Sequence, residues 1–545
     1  MSNIEEDREF LTSLASKYFK YETPNPGQIE AAVEAVRLFR SGIKHVILQA
    51  PTGCHAKGHK ILMYDGSLKK IEDIVIGDTV MGPNSEPKRV LDLVRGRQEM
   101  RRIIPKNGSS FVVNKDHKIN SYVTCQGKEK WESSKEEVIS IAQYESSSKW
   151  FRHIHKLQRK SVEFNESNQT IHPYILGILI GDGTLCKKNI MLTNADIEVQ
   201  EIFKSYLKQL DLTYSVNVRT VNIPCEHIGV SDPMSTWKVP NRFTEMIKSL
   251  GLYGTKSENK FIPFNYKIAS REQRLELFAG LLDTDGHLPN NSNCFEYSTA
   301  SKQLGDDIAF LARSLGFMVS MNSKDSYYIK DGVKIKCQKA YRIHISGDLN
   351  LIPTKVKRKV GSSRKQIKNH LVCGFEVENL PVDDYYGMTL DGDHLYLDEE
   401  FVVHHNCGKS EISHVVHKMM RHLKDNHRTT ILTASKGLQD QLVEDYKDMF
   451  DLKGRANYSC PYDKAPYNSG ACRAHVNRGA CKKNVECPYI IRRIQWCNKA
   501  EIRTTNNSFQ IEAPPEICMK PENKANLIII DECDTIDDAI TEHTS

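Results

Sequence analysis

Three features that would each indicate a class of protein are absent from this sequence. No stretch approaches the ~18 uncharged apolar residues that a membrane-spanning helix needs. The N-terminus, MSNIEEDREF, is acidic and does not resemble a signal peptide. The formal net charge is only +6 over 545 residues, which tolerates nucleic acid without indicating it. We therefore expect no membrane partner, and the length allows several domains.

A nucleotide-binding loop is present, but in two separated pieces. LQAPTGCHAKGHK (residues 48–60) begins like such a loop, and its missing glycine, lysine and serine stand in FVVHHNCGKSEIS (residues 401–413). Joining Gly53 to Cys407 gives LQAPTGCGKSEIS, which has P-loop spacing with alanine in place of the first glycine. HVILQA (residues 45–50) predicts the preceding strand, and SEISHVVHKMMRHLK predicts the following helix. The sequence therefore predicts an insert within one loop.

The rejoined loop predicts an ATP site. Backbone N–H groups around Gly53 and Gly408, together with the N-terminus of the following helix, would contact phosphate. Lys409 would reach the β- and γ-phosphates, and Ser410 would hold Mg²⁺. Gln28, in the amphipathic helix predicted for residues 24–39, could read the adenine base.

The borders of the insert carry the side chains of a cleavage and ligation reaction. The thiol of Cys54 can attack the carbonyl of Gly53 and turn the amide into a thioester, and the thiol of Cys407 can take over that acyl group. Asn406 can then cyclise to a succinimide and cut the chain. An S-to-N shift would leave an ordinary peptide bond between Gly53 and Cys407. Thiols suit this role because they are the better nucleophiles near neutral pH.

At these residues the insert resembles an intein, a self-splicing element with a β-rich Hint fold. The resemblance implies that His117 strains and protonates the first scissile amide, and that His394 and His405 assist the cyclisation of Asn406 by acid–base catalysis. The family usually has threonine where this chain has Asn114, which can also hydrogen-bond near the scissile bond. The segments that carry the resemblance are DGSLKKIEDIVIGDTVMG (residues 65–82), NKDHKI (residues 114–119) and YYGMTLDGDHLYLDEEFVVHHN (residues 385–406).

The chain has fifteen cysteines. In a small secreted protein that number would suggest disulfides, but a large chain that needs free thiols points to a reducing compartment. We therefore expect the protein in the cytoplasm.

Two similar segments lie in the middle of the insert. ILGILIGDGTL (residues 175–185) and LFAGLLDTDGHL (residues 277–288) are apolar helical runs that end in Asp-Gly. Small residues would let the two helices pack closely, which would place Asp182 and Asp285 side by side. Adjacent carboxylates can bind Mg²⁺ and activate water for phosphodiester cleavage. The small residues are Gly177, Ala279 and Gly280.

This pair of helices resembles the double LAGLIDADG homing endonucleases, an α+β fold, over about residues 165–370. NKFIP (residues 259–263) and SKQLGDDIAFLARSLGF (residues 301–317) resemble further blocks of that family. The resemblance implies a monomeric enzyme that cuts a double-stranded DNA homing site, with Lys260 steadying the developing charge. The basic segment KVKRKVGSSRKQIK (residues 355–368) is interpreted as a solvated linker, with a DNA backbone contact as the alternative.

The residues outside the insert predict an α/β ATPase. TTILTASKGLQDQLVEDY (residues 429–446) predicts strand, turn and helix, and NLIIIDECD (residues 526–534) predicts a buried parallel strand followed by acids. Asp531 would hold Mg²⁺ through water, and Glu532 would orient the attacking water. With the P-loop, these segments resemble superfamily-2 DNA helicases, whose motor domains are RecA-like. The chain ends soon after this motif, so we expect a helicase piece that is inactive without a second motor domain.

Cysteines cluster between those two motifs. GACKKNVECPYIIRR (residues 479–493) resembles the iron–sulfur helicases of the XPD/DinG type. Four thiolates suit a 4Fe–4S cluster or Zn²⁺, and their spacing does not decide between them, whereas the resemblance favours the cluster. Cys497 is an alternative ligand. The four predicted ligands are Cys460, Cys472, Cys481 and Cys487.

The predicted architecture is therefore multidomain. One alternative is an unbroken ATP-binding protein whose insert is permanent and regulatory. The predicted parts are a helicase half-domain in residues 1–53 and 407–545 with a cysteine-rich region in 460–518, a splicing domain in residues 54–164 and 371–406, and an endonuclease in residues 165–370.

Overall fold

The computed structural model describes most of the insert and part of the flanking chain. No helix among the described residues is both long and apolar enough to cross a membrane. Ser410 is described by its backbone alone. Predicted site residues outside the described ranges are Gly53, Asn406, Cys407, Gly408, Lys409, Cys460, Cys472, Cys481, Asp531 and Glu532. The described residues are 2–19, 28–46, 54–124, 135–186, 190–220, 224–290, 292–330, 333–364, 368–405, 410–433, 439, 442–443, 446–453, 457–459, 487–498, 500–506 and 525–530.

Two helices, α1 (Ser2–Tyr18) and α2 (Gln28–Arg40), precede the insert. Apolar residues of α2 recur at helical spacing and bury one face, as an amphipathic surface helix requires. This confirms the predicted helix from Gln28 onward. His45 and Val46 are not in a strand, and the rest of the strand predicted for residues 45–50 lies outside the described residues.

The first part of the insert is mostly β-structure. Phe111 and Val113, two positions apart on one strand and therefore on the same face, are both buried. The elements are β1 (His55–Ala56), β2 (Lys60–Leu62), β3 (Leu68–Lys70), a 3₁₀ turn (Ile71–Asp73), β4 (Thr79–Met81), β5 (Pro87–Pro105), β6 (Phe111–Asn114), β7 (Lys118–Val123), β8 (Lys135–Ser140), α3 (Ile141–Ser146), α4 (Lys149–Ile154) and β9 (His155–Gln158).

The middle of the insert is a separate α+β unit with an internal repeat. It contains α5 (Pro173–Asp182), β10 (Gly183–Thr184), β11 (Met191–Asn194), α6 (Ile197–Gln209), β12 (Thr213–Thr220), β13 (Pro224–Ser231), α7 (Arg242–Ser249), α8 (Phe264–Lys267), α9 (Arg271–Asp285), β14 (Gly286–His287), β15 (Cys294–Thr299), α10 (Lys302–Ser314), β16 (Met318–Lys330) and β17 (Val333–Ser346), followed by 3₁₀ turns at Leu349–Leu351 and Lys357–Lys359.

The two halves of this unit have the same topology. One antiparallel sheet has the order β10-β11-β13-β12, and the other has the equivalent order β14-β15-β17-β16. In each half, the first short strand continues directly from the end of α5 or α9. One apolar core joins both halves, and almost every residue of α5 is buried in it. The predicted pair of core helices is therefore confirmed.

The chain then returns to the first β-unit through β18 (Val372–Cys373), β19 (Phe375–Leu390), β20 (Leu395–Leu397) and β21 (Val403–His405). One sheet has the order β19-β1-β6-β5-β4, with β19 also paired to β5, and a second has the order β18-β9-β7-β21-β20. The first strand, β1, pairs with β6, whereas the last strand, β21, pairs with β7. Since β6 and β7 are consecutive, the two ends of the insert meet at one place.

After the insert the chain forms α11 (Ser410–Leu423), β22 (Thr429–Thr433), β23 (Met449–Asp451), α12 (Pro488–Asn498), β24 (Ile502–Asn506) and β25 (Leu527–Ile530). The strands form a parallel sheet with the order β23-β24-β22-β25. The helix predicted after the loop is confirmed. The prediction that β25 is fully buried is wrong, because Ile528 and Ile530 are 51% and 39% exposed. Within the described part of the chain, β25 is an edge strand.

The segments before and after the insert share one apolar core. Leu11 of α1 and Val36 of α2 are buried with Val415 and Met419 of α11 and with Leu527 of β25. The mixed α/β unit is therefore assembled from chain on both sides of the insert.

Candidate active sites

The backbone of Cys54 is held on both sides by Asn114. The N–H of Cys54 donates to Oδ1 of Asn114 at 2.9 Å, and the N–H of Asn114 donates to the carbonyl of Cys54 at 2.9 Å. Nδ2 of Asn114 donates to Gln98 at 2.7 Å, which orients the amide. Cys54 is only 1% exposed. Asn114 thus fixes the nitrogen of the peptide bond that the sequence predicts to be cut.

A buried hydrogen-bonded chain lies beside this bond. Nε2 of His117 is 2.9 Å from Nδ1 of His404, and Nε2 of His404 is 3.1 Å from Oδ2 of Asp398. Oδ1 of Asp398 accepts the backbone N–H groups of Glu400 and Val402. An ionised carboxylate only accepts, so Nε2 of His404 donates and its Nδ1 accepts from His117. This series of hydrogen bonds therefore sets the tautomers of both histidines.

The charge of Asp398 is stabilised inside the protein. Burial alone would raise the pKa of this carboxyl, but the hydrogen bond from His404 and the nearby imidazoles hold the pKa below its ordinary value. Asp398 therefore remains ionised at neutral pH and can orient His404, much as a carboxylate orients a catalytic histidine in other enzymes.

His394 and His405, both predicted for the second cleavage, are neighbours. Their ring centroids are 6.1 Å apart, and Nδ1 of His394 donates to the carbonyl of Leu390 at 2.6 Å. Burial lowers the pKa of His405 well below its ordinary value, and His394 and Lys118 lower it further. His405 is therefore neutral near pH 7 and can accept a proton.

Sequence reasoning missed His404 and Asp398. His404 stands next to a predicted catalytic histidine in VVHHN, and Asp398 belongs to the acidic run LDEE, which reads as a solvated turn. Both side chains are fully buried. The doubled histidine was the available signal, because a second imidazole beside a catalytic one faces the opposite side of a strand.

The second candidate site lies where α5 and α9 end. A Cβ added to Gly177 would lie 2.4 Å from the carbonyl oxygen of Leu277, and one added to Gly280 would lie 2.3 Å from that of Tyr174. Only glycine permits this backbone contact. The close packing predicted from the small residues is confirmed, and it brings the carboxylates at the two helix ends together.

Asp182 is half-buried and Asp285 is exposed at these helix ends. Asp182 accepts a hydrogen bond from Asn194 at 2.6 Å, and Asp285 accepts one from the hydroxyl of Tyr297 at 3.3 Å. Burial, with the nearby charge of Asp285, raises the pKa of Asp182 to about 6, and burial also raises the pKa of Asp285. These carboxylate oxygens fit Mg²⁺, which prefers oxygen ligands and would relieve the repulsion.

Two buried lysines cap the two helices in equivalent ways. Nζ of Lys260 donates to three backbone carbonyls around the end of α5, and Nζ of Lys359 donates to three around the end of α9. Lys260 was expected to face the developing charge, but its three donors are used by the helix end. The interpretation of residues 355–368 as a solvated linker is wrong at Lys359. The acceptors are Ile180, Gly181 and Gly183 for the first lysine and Leu282, Asp283 and Thr284 for the second.

Less of the predicted ATP and cysteine sites can be described. Gln28 is buried at the start of α2, and α11 begins at Ser410. Cys487 and Cys497 are buried in one apolar cluster with Trp496, and burial raises the pKa of Cys497. The remaining predicted ligands of both sites lie outside the described residues.

Two parts of the chain match known protein families. Residues 54–174 match the Hom_end-associated Hint family, and residues 262–373 match the homing endonuclease family, Hom_end. A Hint domain and a homing endonuclease domain indicate protein splicing and DNA endonuclease activity. The predictions drawn from the borders of the insert and from its repeated helices are confirmed at this level.

Individual relatives are distant. The chain is 23% identical over 478 residues to the catalytic subunit of the V-type proton ATPase of Candida tropicalis, covering 66% of this chain and 44% of that protein. It is 29% identical over 165 residues to the replicative DNA helicase DnaB of Mycobacterium intracellulare, covering 30% and 22%. The chain thus spans less than half the length of either relative. A crystal structure of I-DmoI in complex with DNA and Mn is similar over 32% of this chain and 89% of that one, at 15% identity and a TM-score of 0.22.

Proposed function

We propose that residues 54–406 excise themselves and join Gly53 to Cys407. The observation that carries the proposal is the set of contacts around Cys54, whose amide nitrogen is held by Asn114 beside the chain of His117, His404 and Asp398. Such an arrangement suits a reaction in which one buried peptide bond must be broken without an external cofactor.

The first step is an N-to-S acyl shift at Cys54. The thiol attacks the carbonyl of Gly53, the C–N bond breaks, and the carbonyl becomes a thioester. The imidazole of His117 takes the proton of the thiol and passes it to the leaving nitrogen, while His404 and Asp398 stabilise the positive charge on the histidine pair.

The second half of the reaction involves the other end of the insert. Cys407 attacks the thioester and frees the thiol of Cys54. The side-chain nitrogen of Asn406 then attacks its own carbonyl, and His405 and His394 transfer the protons between the attacking and leaving nitrogens. An S-to-N shift completes the bond between Gly53 and Cys407. Because both cysteines must be reduced, we place the protein in a reducing compartment such as the cytoplasm.

The proposed activity of the middle unit is site-specific cleavage of double-stranded DNA by a monomer. Asp182 and Asp285 would hold Mg²⁺, which supplies charge stabilisation at the phosphate and an activated water. Lys260 and Lys359 would position these carboxylates by fixing the helix ends. The proposed target is the uninterrupted gene at the codons of the P-loop, because the insert interrupts that loop.

For the host, we propose a DNA helicase that regains its ATP-binding loop after splicing. Support comes from the core shared by α1, α2 and α11, and from the parallel sheet that follows. The helicase and ATPase names of two relatives agree with this proposal. In the ligated loop, Gly53, Gly408 and Lys409 would contact phosphate, Ser410 and Asp531 would hold Mg²⁺, Glu532 would orient water, and Gln28 would contact adenine. The four-cysteine site, as an iron–sulfur cluster or a zinc site, also stays a proposal.

Intact-mass spectrometry tests the splicing proposal directly. The purified wild-type chain in reducing buffer should yield a ligated host and an excised insert of 353 residues without any added cofactor. Cys54→Ala should block ligation yet permit some cleavage after Asn406, and Asn406→Ala should stop that cleavage. A wild-type chain that stays at full mass would contradict splicing and favour the permanent regulatory insert.

A titration with ATP tests the link to the host. A splicing-dead chain with Cys54→Ala and Asn406→Ala is compared with the spliced host, both supplied with a second motor domain. Because the ring of backbone amides needs Gly53 bonded to Cys407, ATP affinity should improve at least ~10-fold after splicing, about 1.4 kcal/mol. Equal affinities would show that the interrupted loop already binds ATP.

A further inference from the structure

The side-chain amide of Asn114 fits beside Cys54 in two orientations. Its oxygen and nitrogen are almost the same size, so half a turn of the amide exchanges an acceptor for a donor. Only the orientation with the oxygen toward Cys54 accepts the N–H of the peptide bond that is to be cut, in the hydrogen bond of 2.9 Å. The opposite orientation would place an NH₂ group against that N–H. The hold on the scissile bond therefore depends on the group that fixes this amide.

Gln98 contacts the other end of the same amide. Oε1 of Gln98 accepts a hydrogen bond from Nδ2 of Asn114 at 2.7 Å. Gln98 is itself an amide with two orientations, so it does not fix Asn114 alone. If both side chains turned over together, the bond between them would survive, but the wrong end of Asn114 would face Cys54. A third group must therefore fix the pair.

The third group is the carboxylate of Asp116. Nε2 of Gln98 donates a hydrogen bond to Oδ2 of Asp116. A carboxylate only accepts hydrogen bonds, so it attracts the nitrogen of Gln98 and repels the oxygen. The oxygen of Gln98 is thereby turned toward Asn114, and the oxygen of Asn114 toward Cys54. Hydrogen bonds in such a series also polarise one another, which makes the last oxygen a stronger acceptor.

Pairing of β5 with β6 brings these side chains together. Asn114 lies opposite Met100, and Gln98 stands two positions before Met100 on the same face of the sheet. The chain turns directly after Asn114, where the N–H of His117 donates to the carbonyl of Asn114 at 3.1 Å. Gln98 therefore bridges the side chains of the first and third residues of the turn that carries His117.

We propose that Gln98 and Asp116 are positioning residues for the first step of splicing. The carboxylate of Asp116 sets the direction of the hydrogen bonds that end at the N–H of Cys54, and both residues act through the amide of Asn114. This role rests on the proposed splicing function. It assigns a purpose to an acid that stands beside the predicted catalytic His117 in NKDHKI.

Two nearly isosteric substitutions test the direction of these bonds. In Gln98→Glu two carboxylates face each other, so the contact with Asp116 opens. In Asp116→Asn the charge-assisted hydrogen bond becomes a weaker bond between neutral groups. The double variant has its carboxylate at position 98 and a donor amide at position 116, which restores a charged acceptor for Asn114. All three variants keep the shapes of the side chains.

Thiol cleavage measures the first step alone. The parent is the full chain with Asn406→Ala, from which dithiothreitol releases residues 1–53 by attacking the thioester at Cys54. We expect this release to slow at least ~10-fold for Gln98→Glu and about 3-fold for Asp116→Asn, because a hydrogen bond to a charged group is lost or weakened. The double variant should return to within about 3-fold of the parent, whereas independent effects would multiply to about 30-fold.

Cleavage after Asn406 separates positioning from a folding defect. It is measured in the full chain with Cys54→Ala, and every variant should stay within about 2-fold of that chain, because the second cleavage uses other residues. The control for both cleavages is Glu99→Gln, which removes an exposed carboxylate from the same strand and should slow neither.

The outcomes distinguish this inference from the function on which it rests. Thiol cleavage of the Gln98→Glu chain at the parent rate would overturn the positioning role. A double variant no faster than Gln98→Glu, or equal slowing of both cleavages, would also overturn it. Absence of thiol cleavage in the parent chain would contradict the proposed splicing function instead.

Discussion

Loss of hydration shifts the pKa values of ionisable groups in the splicing centre and in the endonuclease centre, and it shifts them in opposite directions. Around Cys54, burial lowers the pKa of histidines and keeps them neutral. Between α5 and α9, burial raises the pKa of carboxyls toward neutrality. In the first centre, Asp398 has three hydrogen-bond donors for its charge, whereas Asp182 accepts from Asn194 and lies near a second carboxylate.

The difference indicates how each centre obtains its reactants. The substrates proposed for the splicing centre are peptide bonds of the same polypeptide. Its protons would therefore move along hydrogen bonds that are already formed. At the endonuclease centre, Asp182 lies near a second carboxylate, Asp285, and an incoming cation would relieve their repulsion. Under the proposed functions, the splicing centre needs nothing from outside the chain, whereas the endonuclease centre needs Mg²⁺ and DNA.

The largest expected effect separates the two centres completely. Asp182→Asn combined with Asp285→Asn should reduce Mg²⁺-dependent DNA cleavage at least ~1000-fold, because several kcal/mol of charge stabilisation at the phosphate are lost. Splicing should proceed at the wild-type rate, since no contact links these residues to Cys54 among those described. Cleavage is measured on a plasmid carrying the uninterrupted P-loop sequence, with Asp306→Asn on α10 as control. Wild-type cutting by the double variant would remove both acids from the mechanism.

The substitution Asp398→Asn should have the converse effect, a loss of splicing without a loss of DNA cleavage. Its amide oxygen would still accept the two backbone N–H groups, so its NH₂ would face His404 and force Nε2 to accept. Nδ1 of His404 would then carry the proton and oppose His117. We expect splicing to slow about 100-fold, the usual size of an acid–base contribution, with DNA cleavage unchanged.

Time courses of ligated product by mass spectrometry check this prediction. Asp73→Asn, an exposed acid in the same β-unit, is the matched control. If Asp398→Asn spliced as fast as the control, the hydrogen-bond chain would have no part in the first step.

The next largest effect that we expect is the change in the rate of DNA cleavage with pH. The pKa of Asp182 is raised to about 6, so its carboxyl is protonated below that pH and ionised above it. Only the ionised form attracts a cation, so at subsaturating Mg²⁺ the rate should rise up to ~10-fold per pH unit below 6 and level off near 7. More Mg²⁺ should move the midpoint to lower pH, because the cation favours the ionised form. A flat profile between pH 5 and 7 would contradict the raised pKa.

The smallest effect concerns the packing that makes the endonuclease centre. Gly177→Ala should destabilise the middle unit by about 1–3 kcal/mol, because the new Cβ would meet the backbone of α9. Gly305→Ala in α10 is the control, since its closest contact would be the flexible side chain of Met321 at 3.3 Å. Denaturant unfolding of the splicing-dead chain compares the two. Equal stabilities would show that α5 and α9 can separate without cost.

Much of both sites followed from local sequence. The helix ends at Asp182 and Asp285 were predictable, because an apolar run indicates a helix and the Asp-Gly that follows it indicates where the helix ends. The borders at Cys54 and Asn406 were predicted from the reactivity of the side chains themselves, and the border at Asn406 stays a prediction. The role of Asn114 was anticipated in outline, and the structure adds the hydrogen bond to the amide of Cys54.

Other features depend on chain segments that are distant in sequence. His117 and His404 are 287 residues apart, and no local pattern indicates that they share a hydrogen bond. Lys359 lies in a run of basic residues that reads as solvated, yet it caps a helix that ends 74 positions earlier, at Asp285. The exposure of β25 likewise depends on which strands lie beside it.

The sequence by itself determined the covalent chemistry at the ends of the insert and the two helices that carry the nuclease carboxylates, because both are properties of residues close together in the chain. Only the tertiary structure decided which histidines are neutral and which lysines are buried. Those properties depend on burial and on neighbours from distant segments. At the splicing centre, both arise where β6 and β7 pair with the first and last strands of the insert.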